Sequence, residues 1–140
     1  MLRTALLHPD ILNALGRAGH GSQVLIADGN YPFSTGSPGS ADKVFLNLKP
    51  GMVKVTDVLE ALVETIPLEG AVVMVPDDRS DQPIFHEFRQ LLPNELELTK
   101  VTRFAFYDRA RSSDTALVIA TGEQRIYANL LLTIGVRPQS

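Results

Sequence analysis

Cysteine is missing from this chain altogether. Its absence excludes disulfide bonding and thiolate catalysis, leaves stability to packing, and is compatible with a reducing compartment. Histidine is scarce: His8, His20 and His86 stand far apart, without the spacing of metal ligands, and no metal site is expected. No stretch approaches the ~18 consecutive apolar residues of a membrane span. The opening Met1 to Pro9 lacks the apolar core of a signal peptide, so the expectation is a cytoplasmic protein with no membrane partner. The 13 basic and 16 acidic residues leave a net charge of -3, which offers nucleic acid no long-range attraction. No glycine-lysine-serine/threonine phosphate loop occurs. Gly19-His20-Gly21-Ser22-Gln23-Val24 begins like a dinucleotide fingerprint, but Val24 occupies the third glycine's place and the segment precedes a strand instead of following one. No cofactor is expected.

What the chain does contain is an ordinary globular composition: 140 residues, 44% hydrophobic and 21% charged. A chain of that size forms one domain, here taken as 1–140, and buries roughly two-thirds of its unfolded surface. Ile11, Leu12, Leu15 and Ala18 recur at helical spacing, with Asp10 as candidate N-cap and Gly19 as terminator. Gln23 to Ala27 is an apolar strand, followed by a Gly/Ser/Pro-rich loop through Ser40 of the length that is often functional. Val44 to Leu48 reads as a second strand. Val58, Leu59, Leu62, Val63 and Ile66 mark a helix with Thr56 as candidate N-cap and Pro67 as stop, and Ala71 to Val75 is a strand. Pro83 opens a helix that carries Ile84, Phe85, Phe88, Leu91 and Leu92 inward and closes at Pro93. A strand over Glu97 to Val101, a short helix over Phe104 to Arg111, and strands over Ala116 to Thr121 and Leu130 to Ile134 complete the pattern. Apolar strands alternating with helices predict an α/β fold, a single three-layer domain with a mostly parallel or mixed sheet and helices on both faces.

Three places carry candidate chemistry. His20, between Gly19 and Gly21, sits on a helix-to-strand connection with little bulk around it; it can act as a titratable group or merely cap the helix. Asp28 ends the first strand and opens the long loop, where α/β sheets collect ligands, though aspartate also serves as a plain turn residue there. Arg103 precedes Phe104 and Phe106, two candidate core residues, and Tyr127 and Asn129 bracket the small Ala128 just before the last strand. Alone, these residues support the binding of something small and polar. His8 and His86 read as structural.

Together the motifs resemble a known family. Gly19-His20-Gly21, Asp28 with Pro32, Arg103-Phe104-Ala105-Phe106-Tyr107, Thr121-Gly122-Glu123, Tyr127-Ala128-Asn129 and Gly135-Val136 occur in the order of the L-fucose mutarotase and D-ribose pyranase family, nearly end to end. The Arg103 to Tyr107 segment is more similar to the fucose mutarotase branch. The loop after Asp28 departs from both branches, with Gly29 in place of the usual alanine and an extra Gly36-Ser37-Pro38-Gly39-Ser40 stretch. The resemblance implies an isomerase without a cofactor that interconverts anomers of a free, L-fucose-like monosaccharide; the alternatives are a pyranase that interconverts ribose ring forms and a non-catalytic sugar-binding protein. It also implies His20 as proton donor, a sugar held by Asp28, Arg103 and Tyr127-Ala128-Asn129, and a homo-oligomeric, typically decameric, ring with sites near subunit boundaries.

Overall fold

The computed structural model describes residues 1–139. Its spine is one six-stranded sheet in the order β2-β5-β1-β6-β3-β4, formed by β1 (Gln23–Ala27), β2 (Asp42–Phe45), β3 (Leu68–Met74), β4 (Leu98–Val101), β5 (Thr115–Ala120) and β6 (Leu130–Ile134). β1 runs parallel to β5, β5 to β2 and β3 to β4, while β6 lies antiparallel between β1 and β3. Five strands therefore share one direction. Their carboxyl ends, together with the entrance to β6, form one edge of the sheet, and their amino ends with the exit of β6 form the other.

Both faces are covered, as the apolar strands demand. On one face α1 (Pro9–Arg17), α2 (Val55–Val63) and α3 (Pro83–Leu91) bury Ile11, Val58, Leu59, Leu62, Phe85 and Phe88 against Val24, Ile26, Val73, Ile119 and Leu132. On the other, α4 (Arg103–Ala110) and the loop after β1 bury Phe106, Ala110, Tyr31 and Ala41 against Leu25, Val72, Val118 and Leu131. The predicted three-layer α/β domain with a mixed sheet is observed. No helix among the described residues is long and apolar enough to cross a membrane.

Several boundaries differ from the sequence expectation, each for a local reason. His8, not Asp10, caps α1: its Nδ1 accepts the Asp10 N–H at 3.2 Å, and Asp10 falls in the first turn. α1 stops at Arg17, before Gly19. α2 starts at Val55 because the Asp57 carboxylate accepts the Lys54 N–H at 2.9 Å, so the expected cap Thr56 lies inside the helix. β2 lies earlier than expected, at Asp42–Phe45, where its register on β5 pairs Asp42 with Leu117 and Phe45 with Ala120. β3 starts earlier, at Leu68, and α4 begins at Arg103 because Thr102 Oγ1 accepts the Ala105 N–H at 3.2 Å.

The Gly/Ser/Pro loop is anchored from within and from α4. The Tyr31 hydroxyl, inside the fold, donates to the Gly36 carbonyl at 2.6 Å, Ser37 Oγ donates to the Phe33 carbonyl at 2.8 Å, and Arg111 Nε reaches the Thr35 carbonyl at 3.0 Å. Gly36 is obligatory, because a Cβ there would lie 2.6 Å from the Tyr31 ring.

Candidate functional site

Asp28 leaves β1 at the carboxyl edge, and Asn129 enters β6 beside it, because the two strands are antiparallel neighbours with Ile26 opposite Leu130. The two side chains close a reciprocal pair: Asn129 Oδ1 accepts the Asp28 backbone N–H at 2.7 Å, and Asn129 Nδ2 donates to Asp28 Oδ2 at 3.2 Å. Asp28 Oδ1 accepts the Asn30 N–H at 3.0 Å. Each residue is only 4% exposed. Burial pushes the Asp28 carboxyl above the ordinary aspartate range; the backbone N–H groups of Asn30, Tyr31 and Ala128 oppose that rise, and the charge of Glu123 adds to it. Ala128 itself is fully buried, so its contribution at this edge is a backbone one.

This pair forms one wall of a cavity of about 370 Å³, lined by Asp28, Asn30, Tyr31, Met74, Arg103, Tyr107, Ile126, Tyr127 and Asn129. Arg103 is brought there from the first turn of α4. Its Nε donates to the Tyr107 hydroxyl at 3.3 Å, and its guanidinium lies 5.4 Å from the Tyr107 ring centroid, with Arg111 5.5 Å from the same ring. Tyr127 has a left-handed backbone, φ 57°, a costly conformation for an aromatic residue and one that concentrates at functional sites. The segment before it is tied down: the buried Glu123 accepts the Val55 N–H at 3.3 Å and Arg125 Nη2 at 2.8 Å, and Arg125 also pairs with Glu87. Burial pulls the Glu123 carboxyl upward, but the Arg125 hydrogen bonds and charge outweigh it and hold the group below the usual glutamate range. Charged, neutral and aromatic groups thus converge on one cleft, a lining suited to a small polar ligand.

The cavity gathers Asp28, Arg103, Tyr127 and Asn129 but leaves out His20. His20 precedes β1 whereas Asp28 follows it, and the five strand residues between them span about 16 Å. The imidazole is 57% exposed at the amino edge, with its Nε2 2.9 and 3.0 Å from the two carboxylate oxygens of Glu69. Sequence reasoning did not place Tyr31, Met74, Tyr107 or Ile126 in this cleft. Tyr107 shares the face of Arg103 because α4 begins at Arg103, one residue before the helix expected from Phe104, and so places the two four residues apart on one helix. Phe104, a candidate core residue, is instead 72% exposed, and Phe106 is the buried one.

A six-stranded α/β fold with a cavity at the carboxyl edge of its strands, lined by charged, neutral and aromatic side chains, has the arrangement in which such sheets commonly bind small molecules. The model of the RbsD / FucU transport protein family matches residues 1–137, and the chain belongs to that family. A fucose mutarotase of Bos taurus is 35% identical over 145 aligned positions, covering 94% of this chain and 90% of the relative. Among solved structures, Bacillus subtilis RbsD complexed with D-ribose matches with a TM-score of 0.84 at 28% identity, covering 99% of this chain and 100% of that one. A fucose mutarotase of Streptococcus pneumoniae in complex with L-fucose matches with a TM-score of 0.83 at 25% identity, with the same coverage.

Proposed function

We propose that this protein is an isomerase that interconverts the anomers of a free monosaccharide resembling L-fucose. The observation that carries the reading is the Asp28–Asn129 pair facing Arg103 and Tyr127 across one cavity, in a chain 35% identical to a fucose mutarotase. Anomer exchange breaks the bond between the anomeric carbon and the ring oxygen and forms it again. A proton leaves the anomeric hydroxyl while another reaches the ring oxygen, the C–O electrons pass to that oxygen, and the open aldehyde rotates before closing. One acid and one base suffice. Imidazole suits the task because both its protonation states are accessible near neutrality, and a positioned acid or base contributes about 100- to 10,000-fold.

In this reading His20 donates to the ring oxygen, Asp28 and Arg103 hold sugar hydroxyls, and Tyr127 with Asn129 orients the anomeric end, with Tyr127 or water taking the hydroxyl proton. Within one chain Asp28 does not reach His20, since the two stand at opposite ends of β1. His20 therefore serves the cavity of a neighbouring copy, amino edge to carboxyl edge, in the head-to-tail contact that closes rings. The exposed Phe104 beside Arg103 and the exposed Ile126 at the cavity supply apolar surface for that contact. In this reading the protein is a cytoplasmic, decameric homo-oligomer.

The ribose-bound neighbour supports a second reading, a pyranase that couples pyranose and furanose forms of ribose. Magnetisation-transfer NMR with L-fucose, D-ribose and D-galactose separates the two. The mutarotase reading predicts accelerated α/β exchange of L-fucose that His20→Ala abolishes; accelerated pyranose–furanose exchange of ribose alone supports the pyranase, and saturable binding without acceleration of any sugar supports a binding protein.

A further inference from the structure

We infer that Glu69 is the positioning residue for His20, fixing the imidazole as the Nε2–H tautomer so that Nδ1 is the nitrogen that exchanges protons with the sugar. The inference rests on the assignment of His20 as the proton donor and adds to it which nitrogen acts and what holds it. Both Glu69 carboxylate oxygens lie against the same ring nitrogen, at 2.9 and 3.0 Å from Nε2. An ionised carboxylate only accepts, so Nε2 must carry hydrogen whether the ring is neutral or charged. Nδ1 has no hydrogen-bond partner among the described residues and is left free to work.

The backbone is built to bring the two side chains together. Along β3, Leu68 pairs with Ile134 and Gly70 with Thr133, so two steps on β3 match one on β6 and Glu69 is the extra residue of a bulge. Bulges re-aim side chains and are enriched next to active sites. The same end of β6 holds His20: the Gly21 N–H donates to the Ile134 carbonyl at 2.9 Å, and the Ile134 N–H donates to the Ser22 carbonyl at 2.9 Å. Gly21 makes the required turn with φ 86°, a conformation a side chain would strain. Gly70 leaves room for Thr133, whose Oγ1 would sit 3.0 Å from a Cβ at that position. Two segments 49 residues apart are thus pinned to one strand end, facing each other. With Nε2–H held, the imidazolium gives its Nδ1 proton to the ring oxygen as the base takes the anomeric hydroxyl proton, and Nδ1 recovers a proton on ring closure. Glu69 keeps its own charge throughout and stabilises the imidazolium.

The test is long-range ¹H–¹⁵N NMR of the histidines in the full-length protein, with exchange rates from magnetisation transfer on L-fucose. The native protein should show His20 protonated at Nε2 when neutral. Glu69→Gln should spread His20 over both tautomers and lower kcat about 10- to 100-fold, as loss of an orienting partner does, with KM unchanged because Glu69 does not touch the sugar. Glu69→Asp should recover part of the loss. A native His20 protonated at Nδ1, or a Glu69→Gln protein with redistributed tautomers and unchanged kcat, overturns the proposal. The assignment of His20 itself fails separately, on His20→Ala keeping native exchange.

Discussion

The two edges of the sheet are built on opposite principles. At the carboxyl edge Asp28 and Asn129 are nearly inaccessible and hydrogen-bonded to each other, and every buried polar side-chain atom among the described residues has a partner. At the amino edge His20 and Glu69 are about half exposed and rest on a single contact. The proposed sugar-holding pair is therefore part of the folded core, whereas the proposed proton donor stands outside it. The first cannot be altered without cost to stability; the second can be removed almost freely.

Substitutions at the two edges should separate accordingly. The largest effect on activity is expected from His20→Ala: loss of the accelerated exchange, roughly 100-fold or more, with a change in unfolding free energy within about 0.5 kcal/mol, read by magnetisation transfer and by denaturant titration. Asn129→Ala should lower sugar affinity and also destabilise by about 1–3 kcal/mol, because the Asp28 N–H and one carboxylate oxygen lose their partner inside the fold. Next comes Arg103→Lys, which keeps the charge but removes the fork and the stacking on Tyr107; affinity should fall by about 1 kcal/mol in a calorimetric titration with little change in the melting temperature.

The smallest effect is a pH slope. Burial raises the folded-state value of Asp28, so the folded protein binds its proton more tightly than the unfolded chain does. The stability this group contributes is full below the unfolded value of 3.8 and is lost as pH rises from there through the raised folded value. Glu123, held low by Arg125, works the other way: its contribution is full above the unfolded value of 4.5 and is lost as pH falls through the lowered folded value. Asp28→Asn should remove the first component, so denaturant melts from pH 3.5 upward should show the variant gaining on the native protein as pH rises; a pH-independent difference contradicts the buried-carboxylate account.

Local signals carried much of this architecture. The apolar runs Gln23–Ala27 and Leu130–Ile134 are strands with the boundaries the sequence suggests, and Pro83 opens α3. The opposition of His20 and Asp28 was implicit too, since one precedes and the other follows the same strand. Long-range pairing decided the rest. β2 is placed by its register on β5, not by its own apolar run. The bulge at Glu69 exists only because β3 meets β6 out of step, and nothing local connects Glu69 with His20, 49 residues away. The left-handed Tyr127 follows an Arg125 that binds not only the nearby Glu123 but also Glu87, 38 residues earlier, a constraint no short window of sequence contains.

One active site is proposed to draw on both edges, hence on two copies of the chain, and subunit mixing tests this most directly. His20→Ala and Asp28→Asn are each expected to be inactive alone. Co-assembled at random in equal amounts, they should regain about one quarter of native exchange, because one site in four then pairs an intact Asp28 with an intact neighbouring His20. Mixed assemblies that stay inactive would contradict the account and return the chemistry to a single subunit.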